Sequence, residues 1–475
     1  MQQISLPVTP CPVIIGGGPA GLNTAITLAE HGISSIILDE NPALGGAIFR
    51  QPSKKTQQGH SPVLDEKTRD RASRILEKLD KHSDKITVYH RAQVLGQLSA
   101  DNAIMVLHDH HVTELHYSAL FICTGCYERS QPFPGWTLPG VMSVGGMQLQ
   151  VKSNLVRPGD RVVLTGTGPL LLVAAQQFHD AGMQVVGVYE AGQKMDLYKE
   201  IPALLADMPL LFDGLKYLAY LKQKNIPVHY GWGIVKAKGE DELSEVIVAP
   251  YDNAWQPMAG KHKALKADSL AVNYGFTSRT QLTQQLGCTH HYQPNRGGVT
   301  AEIDEWHRTS RDMVYTAGDA NGIYGSYVAE VEGQITAFGH LIDSGIINQS
   351  HANLTCAPLR NNLQRLIKFQ HGFSKLSTPK EGLLSLPDPD TVICRCENVM
   401  RSKIDLAIAQ GIGDITKLKM ATRVGMGDCQ GKNCGDFCRN YLAQKTARKH
   451  EEIGRLNPRF PLSPVTFSAF AGTGE

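Results

Sequence analysis

Cys394-Arg395-Cys396 and, further along, Cys429 and Cys434 put four thiols into one short stretch of a 475-residue chain, with Cys438 close behind. Thiolates gathered in this way hold either a tetrahedral zinc ion or a 2Fe-2S centre. Zinc ribbons present two CxxC knuckles, whereas the first pair here is CxC, which favours iron-sulfur and leaves zinc as the alternative. Gly425, Gly427 and Gly431 surround the second pair, and such glycines let backbone N–H groups approach sulfur and tune the potential of a centre.

The chain between the two pairs has to position them. Ile404, Ala407 and Ile408 share one helical face, Gly411 and Gly413 stop that helix, and a second helix is expected around Asp414 to Thr422. The remaining five of the ten cysteines have no shared pattern, a usage that fits a reducing, intracellular compartment better than a disulfide scaffold. A net charge of +2 with 19% charged residues and no basic block gives no footprint for nucleic acid. Met1 to Pro12 show no export signal and no apolar run is long enough to span a bilayer, so a soluble cytoplasmic protein is expected. At roughly 150 residues per domain, about three domains are expected.

Upstream, Val13-Ile14-Ile15 runs into Gly16-Gly17-Gly18-Pro19-Ala20-Gly21, the pattern of strand, tight turn and helix. Gly16 permits the turn, Gly18 lets backbone approach a pyrophosphate, and Gly21 with Ala25 and Ala29 lets the helix lie close on the sheet. The helix N-terminus then faces the phosphates. Ile36-Ile37-Leu38 ends in Asp39-Glu40, and Asp39, with Glu40 as the alternative, is expected to accept ribose hydroxyls.

Arg161 to Leu164, then Thr165-Gly166-Thr167-Gly168-Pro169-Leu170-Leu171, then Val185 to Glu190 repeat this order. Leu171 replaces the third glycine and must hold its helix off the strand. Gly166, Gly168 and Glu190 are therefore expected to contact an adenine nucleotide (ATP or NAD), with nicotinamide chemistry disfavoured and a domain retained for packing as the alternative. Cys123-Thr124-Gly125-Cys126 is a CxxC, but it overlies a strand end expected at the nucleotide and is not read as a redox disulfide. His108-Asp109-His110-His111 and His290-His291 read as solvated turns.

Leu44-Gly45-Gly46, Thr124-Gly125 and Ala317-Gly318-Asp319 resemble the FAD-binding signatures of flavoproteins with two dinucleotide domains. The resemblance implies Thr124 and Gly125 beside the flavin nucleotide and Asp319 on the ribityl chain, with Gly46 and Gly318 completing the set. Many members carry a redox cysteine pair after the Gly-Gly turn, where this chain has Ala47-Ile48-Phe49-Arg50. The thiol segment resembles the small helical ferredoxin domain first recognised in bacterioferritin-associated ferredoxin (BFD-like). That resemblance implies Cys394, Cys396, Cys429 and Cys434 as the 2Fe-2S ligands, with Cys438 as the alternative for the last place.

Taken with Pro132 to Val141 and Gly425 to Gly431, these segments resemble the alpha subunits of heteromeric flavin amine dehydrogenases, a group that takes in opine oxidases, proline and hydroxyproline dehydrogenases and hydrogen cyanide synthases. The fold expected is α/β: two Rossmann-like dinucleotide-binding domains, the second inserted in the first, plus a small all-α BFD-like domain. Expected boundaries are 1–145 and 290–355 for the FAD domain, 150–285 for the second nucleotide domain, 356–389 for a linker, 390–445 for the 2Fe-2S domain and 446–475 for a tail docked on a neighbouring surface. The resemblance implies an electron-transfer subunit serving an amino-acid-oxidase-like FAD beta subunit. Further options it carries are FMN at a subunit boundary and a small 2Fe-2S gamma subunit. The alternatives are a self-contained NAD(P)H-dependent reductase and a cluster-bearing scaffold.

Overall fold

Val13, Ile14, Ile36, Ile37 and Leu38 are buried on both faces of their strands, as parallel strands covered by helices must be. The computed structural model describes residues 9–50, 65–98 and 102–471, so most of the stretch Met1 to Pro12, expected to carry no export signal, lies outside the described residues. Ile86–His90, Ser35–Asp39, Cys11–Ile15 and His111–Ile122 pair in that order, all parallel, and Val314–Thr316 adds parallel to the end of the long strand. Gln93–Gly96 and Ala103–His108 join its first half antiparallel. Asp109 and His110, at φ 47° and 66°, form the hairpin turn between Ala103–His108 and His111–Ile122, which is the role expected of the histidine run.

The second domain repeats this plan. Val228–Tyr230, Gln184–Glu190, Arg161–Gly166, Ser269–Asn273 and Val141–Ser143 form a parallel sheet in that order, with an antiparallel meander of Trp232–Lys238, Glu245–Pro250 and Lys263–Lys266 beside it. Val141–Ser143 lies in this sheet, so the boundary expected at 145–150 moves upstream; three residues, one of them polar, carry too little pattern to be read as a strand. Cys126–Glu128 and Phe276–Ser278 pair antiparallel and bridge the two domains, so the insertion also ends earlier than 285.

The expected linker 356–389 is largely corrected. Gln349–Ser377 is one continuous helix, capped by Asn348, whose side chain accepts from the His351 N–H at 2.8 Å. Its buried face is thin, with Ala352, Cys356, Leu366, Phe369 and Gly372, and Pro358 lies inside it. A proline and a mostly polar surface hide the 3.6-residue period.

The thiol domain is not purely helical. Val392–Cys394 and Val399–Met400 form a short hairpin that carries the CxC pair, followed by helices Arg401–Ala409, Ile415–Thr422 and Gly435–Thr446. Asp414 caps the second helix by accepting from the Lys417 N–H at 2.9 Å. The tail beyond 446 divides. Ile453 and Leu456 pack into the thiol domain, while Leu462 returns to the first domain, its N–H donating to Leu95 O at 2.7 Å. No helix among the described residues is long and apolar enough to cross a membrane.

Candidate functional site

A cavity of about 320 Å³ opens over the carboxyl ends of the first sheet. Of the residues expected at the flavin, Gly16, Gly18, Asp39, Glu40, Gly46, Thr124, Gly125, Gly318 and Asp319 all line it. Gly21 does not; its Cβ would stand 2.0 Å from Gly16 O, which is the close helix-on-strand contact expected of it. The cradle is bare where a ligand must approach. A Cβ on Gly18 would find only Gly46 Cα, at 3.7 Å, and one on Gly125 would meet nothing within 4 Å. These open glycine faces fit a dinucleotide.

The two candidate ribose acids are held differently. Asp39 is buried and accepts from Gly17 N and Asn41 N, each at 2.7 Å, so it shapes the loop. Glu40 is half exposed and pairs with Arg279 at 2.7 Å, and although burial raises its carboxyl, the guanidinium brings it below the usual range. Asp319 accepts from the N–H groups of Tyr324 and Gly325 at 3.0 and 2.9 Å, and Cys126 Sγ lies 3.8 Å from its other oxygen. Burial raises both this carboxyl and the Cys126 thiol, and it pushes Cys123 up to about 12, which suits neither cysteine to dithiol exchange.

Deeper in the wall, Glu332 accepts from Gly318 N at 2.7 Å, and burial pushes its carboxyl up to about 8. The folded chain therefore keeps a proton that the unfolded chain releases from about pH 4.5 upward, and stability falls as pH rises from there to about 8. Glu332→Gln should flatten this slope and melt above the wild type at alkaline pH. Thermal melts of both proteins across that range check it; parallel profiles would refute the assignment.

Sequence reasoning missed Tyr127, Arg279, Lys432, Leu462 and Ser463, which also line the cavity. Arg279 lies 4.6 Å over the Tyr127 ring. Lys432 comes from the loop between Cys429 and Cys434 and donates to Leu462 O at 2.9 Å, tying thiol loop and tail together over the cavity. No local motif marks these residues.

Cys434 lies between Cys394 and Cys438, and Cys396 faces Cys429. The Cys394 thiol faces Cys434, which together with burial holds it above the usual thiol range, while backbone N–H groups of Gly425 and Glu397 face its sulfur. Cys396 faces Cys429 through that residue's N–H and thiol; the N–H favours thiolate, burial and the second thiol oppose it, and the balance is upward. Among the described residues no three His, Cys, Asp or Glu side chains meet closely enough for a single ion. Two thiol pairs are the donor set of a two-iron centre, in which each iron takes two thiolates. Gly427 is required by space, since its Cβ would lie 2.3 Å from Cys396 Cβ, and Gly425 and Gly431 instead accommodate Leu456. Cys438, buried in its helix, touches Cys434.

In the second domain, Glu190 bridges Gly168 N and Gly192 N, each at 2.9 Å, and burial pushes its carboxyl up to about 7. Leu171 is fully buried beneath this loop. Gly166 is held against Asn273, whose O would be 1.7 Å from an added Cβ.

Residues 12–333 match the family described as pyridine nucleotide-disulphide oxidoreductase, and residues 390–473 match the sarcosine oxidase A3 domain. The chain is 41% identical to the hydrogen cyanide synthase component HcnB of Pseudomonas protegens, over 97% of each chain. It is 30% identical to an opine oxidase subunit of Rhizobium meliloti, over 97% of this chain and 86% of that one. The crystal structure of L-proline dehydrogenase from P. horikoshii shares the fold, with a TM-score of 0.70 at 21% identity, over 97% of this chain and 79% of that one. The protein thus belongs to the pyridine nucleotide-disulphide oxidoreductase family, within the group of FAD-dependent oxidoreductase subunits that includes HcnB and its opine oxidase counterpart.

Proposed function

We propose that the chain is the electron-transfer subunit of a heteromeric cytoplasmic enzyme that oxidises a C–N bond in an amino acid, imino acid or opine. It connects a partner flavin, a 2Fe-2S centre, FAD and an external acceptor. The observation that carries this reading is a shared wall: Lys432, from the thiol loop, lines the same cavity as Gly18, Gly46 and Thr124. When bound, FAD handles electrons in pairs or singly and a 2Fe-2S centre carries one at a time, a combination that converts a two-electron oxidation into single-electron transfers.

The chain's own residues hold and tune. Gly16, Gly18, Gly46, Thr124, Gly125 and Gly318 would offer close backbone approach to FAD, Asp39 would hold the loop beside its ribose, Glu40 would be the acid able to reach that ribose, and Asp319 would face the ribityl chain. Arg279 and Lys432 place positive charge beside the cavity. Cys394 with Cys434, and Cys396 with Cys429, would be the thiolates holding a 2Fe-2S centre, two to each iron. Substrate chemistry falls to an amino-acid-oxidase-like FAD partner. Met195, Tyr198, Leu205, Phe212 and Leu215 are 65, 61, 51, 54 and 50% exposed within one stretch of the chain, side chains of the kind that subunits cover.

The test is anaerobic reduction of the chain loaded with flavin and iron. Alone, it should show no flavin bleaching with glycine, proline or an opine, and bleaching should follow once the partner subunit is added. Amine turnover by the chain alone would sink the reading.

A further inference from the structure

The two Rossmann-like domains share one plan and differ at its functional point. In the first, the glycine faces at Gly18 and Gly125 front an open cavity. In the second, the helix Gln349–Ser377 ends on the corresponding spot. Ser377 Oγ lies 3.0 Å from where a Gly168 Cβ would be, and Ser377 O lies 3.6 Å from a Gly275 Cβ. Leu376 O accepts from Thr167 Oγ1 at 3.4 Å and lies 3.8 Å from a Gly192 Cβ. Gly168, Gly192 and Gly275 each follow the carboxyl end of one of three adjacent parallel strands, the crevice where a doubly wound sheet takes its ligand. The segment is pinned on both sides. Lys375 pairs with Glu200 at 3.2 Å, and Lys380 pairs with Asp196 at 3.6 Å while lying 5.5 Å over the Trp255 ring.

The last carbonyls of a helix carry the negative end of its dipole, and here one of them, Leu376 O, meets Thr167 in the loop leading into helix Leu170–Asp180, where the oxygens of a pyrophosphate would be received. We infer that Leu376 and Ser377 are a built-in occupant of the second dinucleotide site, the Leu376 carbonyl and the Ser377 hydroxyl filling the place of a pyrophosphate, and that they exclude NAD(P)H as electron donor. This deepens the proposed relay and rests on it only for the consequence that electrons enter from a partner.

Titration calorimetry of the flavin-loaded full chain with millimolar NADH, NADPH and ATP should show no saturable binding, and anaerobic NADH should leave the flavin oxidised. A second measurement uses the pair Gly168→Cys and Ser377→Cys. An added Gly168 Cβ lies 3.7 Å from Ser377 Cβ, close to the disulfide mean of about 3.8 Å. The crosslink, located by mass spectrometry, should form under mild oxidant at the same rate with or without nucleotide. Saturable nucleotide binding by the wild type, slowing of the crosslink by nucleotide, or a flavin-replete double variant that fails to crosslink would each overturn the inference. None of these readouts involves an amine or a partner, so they fail or succeed independently of the relay.

Discussion

Cys394→Ser is expected to give a folded, yellow protein that has lost essentially all of its bound iron. The Cys394 sulfur sits on the hairpin, paired with Cys434 and faced by two backbone N–H groups, so a hydroxyl there removes half of the donors for one iron. The hairpin contributes nothing to the flavin cavity, so flavin absorbance should persist. Cys434→Ser should also lose iron, because Cys434 is the thiol that meets Cys394. Cys438→Ser should keep its iron, since that thiol meets Cys434 from the helix and is not one of the two facing pairs. Iron analysis with visible and electron paramagnetic resonance spectra on purified variants decides the matter. Iron retained by Cys434→Ser and lost by Cys438→Ser would reassign the fourth ligand, and tightly bound zinc in the wild type would remove the cluster altogether.

The second large effect is the converse, a protein with iron and no flavin. Gly21→Ala puts a methyl group 2.0 Å from Gly16 O and 3.0 Å from Ile14 Cγ2. Both neighbours belong to the first strand and its turn, which cannot retreat without moving the open face of Gly18. Overpacking of a buried contact costs about 1–3 kcal/mol, and here the strain falls on the loop that must cradle a pyrophosphate. Flavin content should fall to a small fraction of the wild type, the melting temperature should drop, and iron should remain in the separately cored thiol domain. Gly214→Ala is the matched control. A Cβ there meets nothing within 4 Å, so helix propensity alone should stabilise by about 0.5–1 kcal/mol. A fully flavinated Gly21→Ala protein with unchanged melting would show that the close helix contact is dispensable.

What the sequence revealed was whatever lies close along the chain. Gly16, Gly18 and Gly21 sit in one turn, Asp39 one strand later, and a CxC with a downstream pair is itself a local pattern, so these residues could be named before any fold was known. The walls that close the sites are long-range. Arg279 reaches Glu40 across the whole inserted domain, and Ser377 reaches Gly168 from the far end of a helix whose own period was masked by Pro358 and a polar surface. Neither contact has a spacing rule. The same limit applies to the second domain, where Leu171 stands in the local glycine motif while Leu376 and Ser377, which lie against Thr167 and Gly168, come from a stretch with the composition of a linker.

Leu462 and Ser463 complete the wall of a cavity whose floor is laid down by Gly16 and Gly18, and Lys432 fastens them there. The ribosome therefore makes the floor first and the roof after almost everything else, with the thiol loop between them. Maturation has a built-in sequence: a nascent chain can fold its first sheet early, but it keeps a flavin under cover only after the thiol loop and the stretch beyond it have been synthesised and docked. Retention of flavin then doubles as a check that the thiol loop and the stretch beyond it have been finished.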